Sequence, residues 1–260
     1  MTHGICNLSV IPGRAENSDK SEQITQLLFG EHFSVIKKEG NWLYIRCAFD
    51  QYECYIDVKQ CQEISEETFN ELNSKEIICS TDLLQLLEDV EKKSYLPIPI
   101  GSSLPYFDGQ TCNLEGYEYN FDGNTTLNHA NETKANIILD SAFVFMNAPY
   151  LWGGKSPLGI DCSGFTQTVF KIAGLKLLRD AYQQAEQGET INFISESQTG
   201  DLAFFDNAES RIIHVGIIIG DGKIIHASGM VRVDKIDHQG IYNEQIGAYT
   251  HNLRLIKRIL

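Results

Sequence analysis

The 260-residue chain has no run approaching about 18 uninterrupted apolar residues, so no membrane-spanning helix is expected. Its first residues, MTHGICNLSVIPGRAENSDK, lack a basic head followed by an apolar stretch. That predicts no secretory leader and a cytoplasmic protein. Excess positive charge is missing too. With 21 Lys and Arg against 35 Asp and Glu, the formal net charge is −14. Nucleic acid and anionic membrane surfaces both call for a basic footprint, so neither is an expected partner. No Cys-x-x-Cys occurs among the seven cysteines, Cys6, Cys47, Cys54, Cys61, Cys79, Cys112 and Cys162. Their odd number and spacing fit neither a zinc ribbon nor a secreted disulfide frame, and reduced thiols are the simplest account. There is no internal repeat and no low-complexity tract.

What is present changes texture along the chain. Residues 1–62 read as short strands. HFSVIKKEGNWLYIRCAF alternates apolar and polar, breaks at Glu39-Gly40-Asn41 and alternates again, and QYECYIDVKQC continues the pattern. This predicts a small β-barrel module. SEETFNEL opens on Ser65 followed by acidic residues, the start of a short capped helix. Residues 75–130 read as a second small β module with turns at Asp108-Gly109 and Asp122-Gly123. The leucines of CSTDLLQLLEDVEKK, 79–93, fall at helical spacing and predict a helical lead-in to it. Residues 131–260 form the remaining domain. It opens with a helix carrying Ile137, Ile138, Ala142, Phe145 and Met146 on one side and ended by Pro149. The strand-like runs GDLAFFD, IIHVGIIIG, KIIHASG and NLRLIKRIL come later. Helices first and an antiparallel sheet after make an α+β fold.

Six of the seven cysteines precede residue 113, which leaves Cys162 alone in its half of the chain. It follows the glycine-rich GGKSPLGID, which cannot itself be helix, and opens an apolar-periodic run with Phe165, Val169, Phe170 and Ala173 on its inner side. A helix N-terminus favours negative charge and lowers a thiol pKa. Its unpaired N–H groups can also serve as oxyanion donors. Cys162 therefore reads as a nucleophile, against the plainer alternative of a buried structural cysteine. A base would come from His214 or His226, which lie in apolar runs on either side of Gly220-Asp221-Gly222. His214 could take the thiol proton while His226 holds its second ring nitrogen. A two-residue Asp-Gly turn would put the two histidines on opposite faces of the hairpin, so this reading requires an odd loop or a bulge. A metal site of Cys162, His214 and His226, with Asp161 as a fourth ligand, is the rival, although the spacing is not that of most zinc motifs. His3, His32, His129, His238 and His251 sit in polar or terminal contexts and receive no role.

Taken together, YLWGG…DCSGF, RDAYQQ, GDLAFF and HVGIIIGDGKIIHASG, in that order over residues 131–260, resemble the NlpC-type papain-like cysteine peptidases. The resemblance implies a papain-like catalytic domain preceded by small SH3-like β-barrel modules. It implies Cys162 as nucleophile, His214 as general base and His226 as the orienting third residue, with no cofactor and no metal. The modules in front resemble those of γ-D-glutamyl-diamino-acid endopeptidases of cell-wall peptide recycling, a subgroup that GSSLPYFDG also fits. That implies hydrolysis of the γ-D-glutamyl–meso-diaminopimelate bond in murein tripeptides or tetrapeptides with a free N-terminal L-Ala. Asp161 would bind the ammonium and Ser163 would help. Tyr52 corresponds to the tyrosine of a Y-x-G-W turn, where this chain has Cys54-Tyr55 in place of Gly-Trp. Tyr150 and Trp152 could wall the cleft, or pack as core aromatics. Asp180 could line the diamino-acid side, with Arg179 in a structural role. An amidase or acyltransferase using the same Cys-His pair and a non-catalytic wall-peptide binder are the alternatives.

Overall fold

In the computed structural model, which describes residues 2–260, the chain divides into two bodies. One is Met1–Ala130 with Trp152–Pro157, the other Asn131–Leu151 with Leu158–Leu260. The segment Trp152–Pro157, expected in the C-terminal domain, thus belongs to the first body.

In the first body the alternating pattern becomes strands β1 (His3–Ile5), β2 (Val10–Arg14), β3 (Gln23–Leu28), β4 (His32–Glu39), β5 (Trp42–Cys47), β6 (Glu53–Asp57) and β7 (Gln62–Ile64). They form one sheet in the order β3-β2-β6-β5-β4-β1-β7. Ile11, Leu27, Phe33, Leu43, Ile45, Cys54 and Ile56 share its core. Helix α1 (Glu66–Ser74) follows, capped by the Ser65 hydroxyl, which accepts from the Thr68 N–H at 3.0 Å.

The second module is β8 (Leu84–Asp89), β9 (Ser94–Pro99), β10 (Thr111–Leu114) and β11 (Tyr117–Asn120), in the order β10-β11-β8-β9. The helix expected within 79–93 is therefore a strand. Leu83, Leu84, Leu86 and Leu87 are spaced as a helix face, yet only Leu87 is buried. The pairing of β8 with β9, from Leu84↔Pro99 to Asp89↔Ser94, satisfies the backbone and delivers Leu87 to Ile98, Leu114 and Tyr119. Tertiary pairing overrides the local spacing here.

Strand β12 (Lys155–Ser156) lies against β3. The Lys155 N–H donates to Gln26 Oε1 at 2.8 Å, and Lys155 Nζ donates to both oxygens of Glu31 at 3.0 and 3.1 Å. Glu31 also accepts from the Leu28 N–H at 3.0 Å. Lys155 and Glu31 are both buried.

The second body opens with α2 (Lys134–Val144), capped by Thr133. Strand β13 (Gly159–Ile160) leads into α3 (Cys162–Ile172), every residue of which is buried. Phe165 of α3 meets Phe145 edge-on at 5.8 Å. After the short α4 (Ala181–Gln184) come β14 (Glu189–Ile191), β15 (Leu202–Asp206), β16 (Ile212–Gly220), β17 (Lys223–Ser228), β18 (Met230–Ile236), β19 (Gly240–Asn243) and β20 (Ala248–Arg258). Their order is β14-β20-β15-β16-β17-β18-β19, and β19 pairs back onto β20. Six strands, β15 to β20, therefore close into a barrel without open edges. Helix α3 packs on β16 and β17. Among the described residues, no helix is long and apolar enough to cross a membrane.

The β16–β17 hairpin decides where the histidines point. Asp221 and Gly222 have φ of 49° and 64°, a two-residue type I′ turn, and Gly220 pairs with Lys223. That turn alone would separate His214 and His226 onto opposite faces. The register slips between Ile218↔Ile224 and Gly220↔Lys223, so Ile219 is an extra residue. This bulge reverses the parity of everything before it and brings both histidines to one face. Gly216, opposite His226, leaves them room: a Cβ there would stand 2.8 Å from the His226 Cβ.

Both tryptophans, Trp42 and Trp152, lie in the first body, so urea unfolding followed by their fluorescence reads its stability. Lys155→Ala removes the ammonium that meets both oxygens of the buried Glu31 and is expected to destabilise this body by about 3–5 kcal/mol. Adding Glu31→Gln, which removes the charge and keeps an acceptor for the Leu28 N–H, should recover most of the loss.

Candidate active site

Cys162 is the first residue of α3, and Asp161 is its N-cap, accepting from the Gly164 N–H at 2.6 Å. The helix N-terminus predicts a lowered thiol pKa, but the balance goes the other way. Burial, and then the neighbouring Asp161 carboxylate, push the Cys162 thiol up to about 12. The N–H groups of Val215 and Ser163 at the sulfur, and the charge of Arg179, oppose this without reversing it. The resting group is a thiol. Val215 follows His214, so β16 meets the sulfur one residue along from the imidazole.

His214 Nε2 lies 2.8 Å from His226 Nδ1, and His226 Nε2 lies 3.1 Å from Asp234 Oδ2. Counting protons along this chain fixes the tautomers. The Asp234 carboxylate can only accept, so His226 carries its hydrogen on Nε2 and presents a lone pair at Nδ1. His214 must then donate from Nε2, which leaves the lone pair of its Nδ1 available as a base. Burial, the first cause, would raise the Asp234 pKa, but hydrogen bonds from His226 and Arg232 outweigh it and hold the carboxyl below its usual range. Burial, then His226 and His251, hold His214 well below the ordinary imidazole value, so it is neutral at rest. A neutral imidazole beside a thiol can remove its proton as the sulfur attacks an electrophile.

The chain of short contacts also answers the metal reading. His214 Nε2 and His226 Nδ1 point at each other rather than at a common ion. Among the described residues, no group of three or more His, Cys, Asp or Glu is arranged to hold a metal.

Arg179 is fully buried and grips Asp161 through both carboxylate oxygens, Nη1 at 3.1 Å and Nη2 at 2.6 Å. Its Nη1 also donates to the Ser163 hydroxyl at 3.0 Å, and that hydroxyl lies 3.3 Å from Asp161 Oδ1. Asp161, Ser163 and Arg179 thus form one network at the start of α3. The carboxylate beside the thiol has a cation supplied by the protein itself. Tyr150 comes close to the same place: burial, then the charges of Cys162 and Asp161, raise its phenol pKa. Asp180 opens α4, its N–H donating to Gln183 Oε1 at 3.0 Å. Tyr52 and Trp152 lie in the first body. There the Tyr52 N–H donates to Asp50 at 3.0 Å and the Trp152 indole N–H donates to Glu22 at 2.6 Å.

Neither Asp234 nor His251 is among the residues the sequence marks for the site. Asp234 stands at a buried position of β18 opposite Ile224, and an acid on the inward side of MVRVDKI is the signal that could have marked it. The His251 ring stacks on His214, centroids 4.2 Å apart and planes at 28°.

Two segments of the chain match known domains. Residues 147–250 match the NlpC/P60 family, and residues 13–60 match the bacterial dipeptidyl-peptidase Sh3 domain. The chain is similar to a gamma-D-glutamyl-L-lysine dipeptidyl-peptidase of Bacillus cereus, with 26% identity over 257 residues covering 89% of this chain and 75% of that protein. A protein of the same name from Bacillus subtilis is 43% identical over 97 residues, covering 36% of this chain and 32% of that one. The crystal structure of an NlpC/P60 family protein from Bacillus cereus shares the fold over 100% of both chains, with a TM-score of 0.80 and 21% identity.

Two outcomes test the site without a substrate. Asp234→Ala removes the acceptor that holds the hydrogen on His226 Nε2. His214 should then lose its preference for carrying its own hydrogen on Nε2, a change that imidazole 15N shifts detect. Alkylation of Cys162 by iodoacetamide, followed by peptide mass spectrometry, should accelerate about tenfold per pH unit from neutral to alkaline pH. A plateau at neutral pH would instead reveal a preformed thiolate.

The helix-borne thiol, the neutral histidine and the matched segments lead to one assignment: residues 147–250 are an NlpC/P60 domain and residues 13–60 a bacterial dipeptidyl-peptidase Sh3 domain, in a hydrolase with the cysteine-peptidase fold.

Proposed function

We propose that the protein is a cytoplasmic cysteine endopeptidase of peptidoglycan recycling, which hydrolyses the γ-D-glutamyl–meso-diaminopimelate bond of murein peptides bearing a free N-terminal L-Ala. The observation that carries the reaction is the chain from Asp234 through His226 to His214, which leaves a basic Nδ1 on the residue that precedes Val215, whose N–H meets the Cys162 sulfur. Cys162 is the nucleophile, His214 the general base and His226 the residue that orients it. As the sulfur attacks the γ-carbonyl carbon, His214 takes the thiol proton and then gives it to the leaving amine of the diamino acid. The thioester that remains is hydrolysed by water, with His214 again as base. Because the thiol is not ionised at rest, proton removal and attack are coupled. The Cys162 N–H, in the first turn of α3, has no acceptor within the helix and suits the developing oxyanion.

The substrate class is supported by the relatives. Two are named for a γ-D-glutamyl-L-lysine bond. Lysine and meso-diaminopimelate present the same L-centre to the γ-glutamyl group and differ by one carboxylate at the far end. Asp161 is assigned to the substrate ammonium with help from Ser163. Since Arg179 already pairs with Asp161, the ammonium meets an acceptor within an ion pair rather than a bare charge. Within the second body, Tyr150 and Asp180 are assigned to the walls of the substrate site.

A mass-spectrometric digest tests this. L-Ala-γ-D-Glu-diaminopimelate, the corresponding lysine peptide and the N-acetylated form of each would be incubated with wild type and with Cys162→Ala. Wild type should release L-Ala-γ-D-Glu from the diaminopimelate peptide. N-acetylation should slow it at least about tenfold, the scale of one charge-assisted hydrogen bond of about 1.5–3 kcal/mol. Cys162→Ala should release nothing. Equal cleavage of free and acetylated peptides would keep the peptidase and discard the recycling specificity. Release by Cys162→Ala would remove the nucleophile, and no cleavage by wild type would return the amidase or binding readings.

A further inference from the structure

His251 lies 37 residues from His214 in sequence (251 − 214), yet their rings are stacked. Several independent features of β20 bring it there. Opposite β15 the register slips between Phe204↔Leu255 and Phe205↔Leu253, which makes Arg254 an extra residue. Opposite β19 it slips between Ile241↔His251 and Tyr242↔Tyr249, which makes Thr250 another. His251 thus sits between two bulges, features that re-aim side chains beside active sites. Gly240 lets β19 close on this point: a Cβ there would collide with the His251 carbonyl, and its φ of +141° suits glycine. The Thr250 hydroxyl lies 2.8 Å from His251 Nδ1 and holds the ring. Phe205 braces both imidazoles, 5.7 Å from His214 and 5.8 Å from His251.

We propose that His251 is a positioning residue for the general base: its ring covers one face of His214, holds that imidazole in the plane shared with His226, and keeps water from it. The proposal rests on the assignment of His214 as base. His214 is held by one hydrogen bond at Nε2, and a single bond leaves the ring able to swing about it. A second imidazole against its face, braced by Phe205, removes that freedom, and near-attack geometry is what such restraint secures. The ring also excludes solvent, which would otherwise stabilise the protonated form.

The groups facing His251 are His214 on β16, His226 on β17 and Asp234 on β18, with Arg232 paired to the same Asp234. Burial, then His226, bring the His251 pKa to about 4 against the pull of Asp234. At neutral pH His251 is therefore an uncharged plate. Below about 4 it becomes a second cation against His214, and it holds the base neutral down to lower pH than a bare site would.

The test uses the full-length protein with His251→Phe and His251→Ala. Phe keeps a flat ring but cannot be charged, whereas Ala opens the face to water. The His214 titration, followed by ring proton NMR and assigned by its loss in His214→Gln, should move to higher pH in His251→Phe and further in His251→Ala. On the L-Ala-γ-D-Glu-diaminopimelate peptide, His251→Ala should lower kcat about tenfold with KM within about twofold. It should also move the acid limb of kcat/KM upward in pH, and His251→Phe should restore kcat to within about threefold of wild type. An unchanged His214 titration in both variants, or a kcat in His251→Phe as low as in His251→Ala, would overturn the proposal. The titration needs no substrate, so a wild type inactive on this peptide would count against the proposed reaction and not against His251.

Discussion

The 2.8 Å contact between His214 Nε2 and His226 Nδ1 is the constraint on which the rest of the site depends. Two imidazoles can share one hydrogen only if one donates and the other accepts, and nothing in the pair itself says which. Asp234 decides it from the far end. Being an acceptor only, it puts a proton on His226 Nε2, and each ring then passes the requirement on. The direction of proton transfer at Cys162 is thereby set two residues away, by a carboxylate on β18. Arg232, which donates to that carboxylate, keeps it ionised and in place.

The hydrogen bond exists because of one surplus residue. A type I′ Asp-Gly turn is a favoured way to close a two-residue hairpin, and it would have sent the histidines to opposite faces. Ile219, bulged out of the pairing, restores them to one face. The alternation and the Asp221-Gly222 turn were legible in the sequence, and so was the demand for a bulge somewhere between the histidines. Position 219 was not, because bulge placement is decided by packing around the closed barrel and not by the identity of the isoleucine.

The same distinction runs through the molecule. Helix α3 was legible because its glycine-rich lead and its apolar spacing agree. The leucines of 83–87 were misleading because that spacing serves a helix and a strand alike, and the partners that chose the strand lie at 94–99 and 117–120. Asp234 carries one faint local signal, an acid at an inward position of its strand, and His251 carries none. Each is one polar residue in a strand, and only the order β15-β16-β17-β18-β19 with β20 closing on both ends brings them to His214. His251 was further hidden by its neighbours Thr250 and Asn252, which make its strand look solvated.

Burial of the whole of α3 has a chemical consequence that the position of Cys162 alone would not suggest. A thiol at an exposed helix N-terminus beside a cationic histidine would ionise readily. Here the sulfur is dehydrated, an acid sits beside it, and the histidine is kept neutral, so both partners rest uncharged. Arg179 softens the effect of Asp161 but is spent largely on that carboxylate and on Ser163. A thiolate–imidazolium pair would have to be created in a site that solvates it poorly. The weaker resting nucleophile is tolerable only if the proton leaves as the bond to carbon forms, and that requires the base to stand ready in one tautomer and one orientation. Asp234 and His226 supply the first, and the restraint of the His214 ring supplies the second.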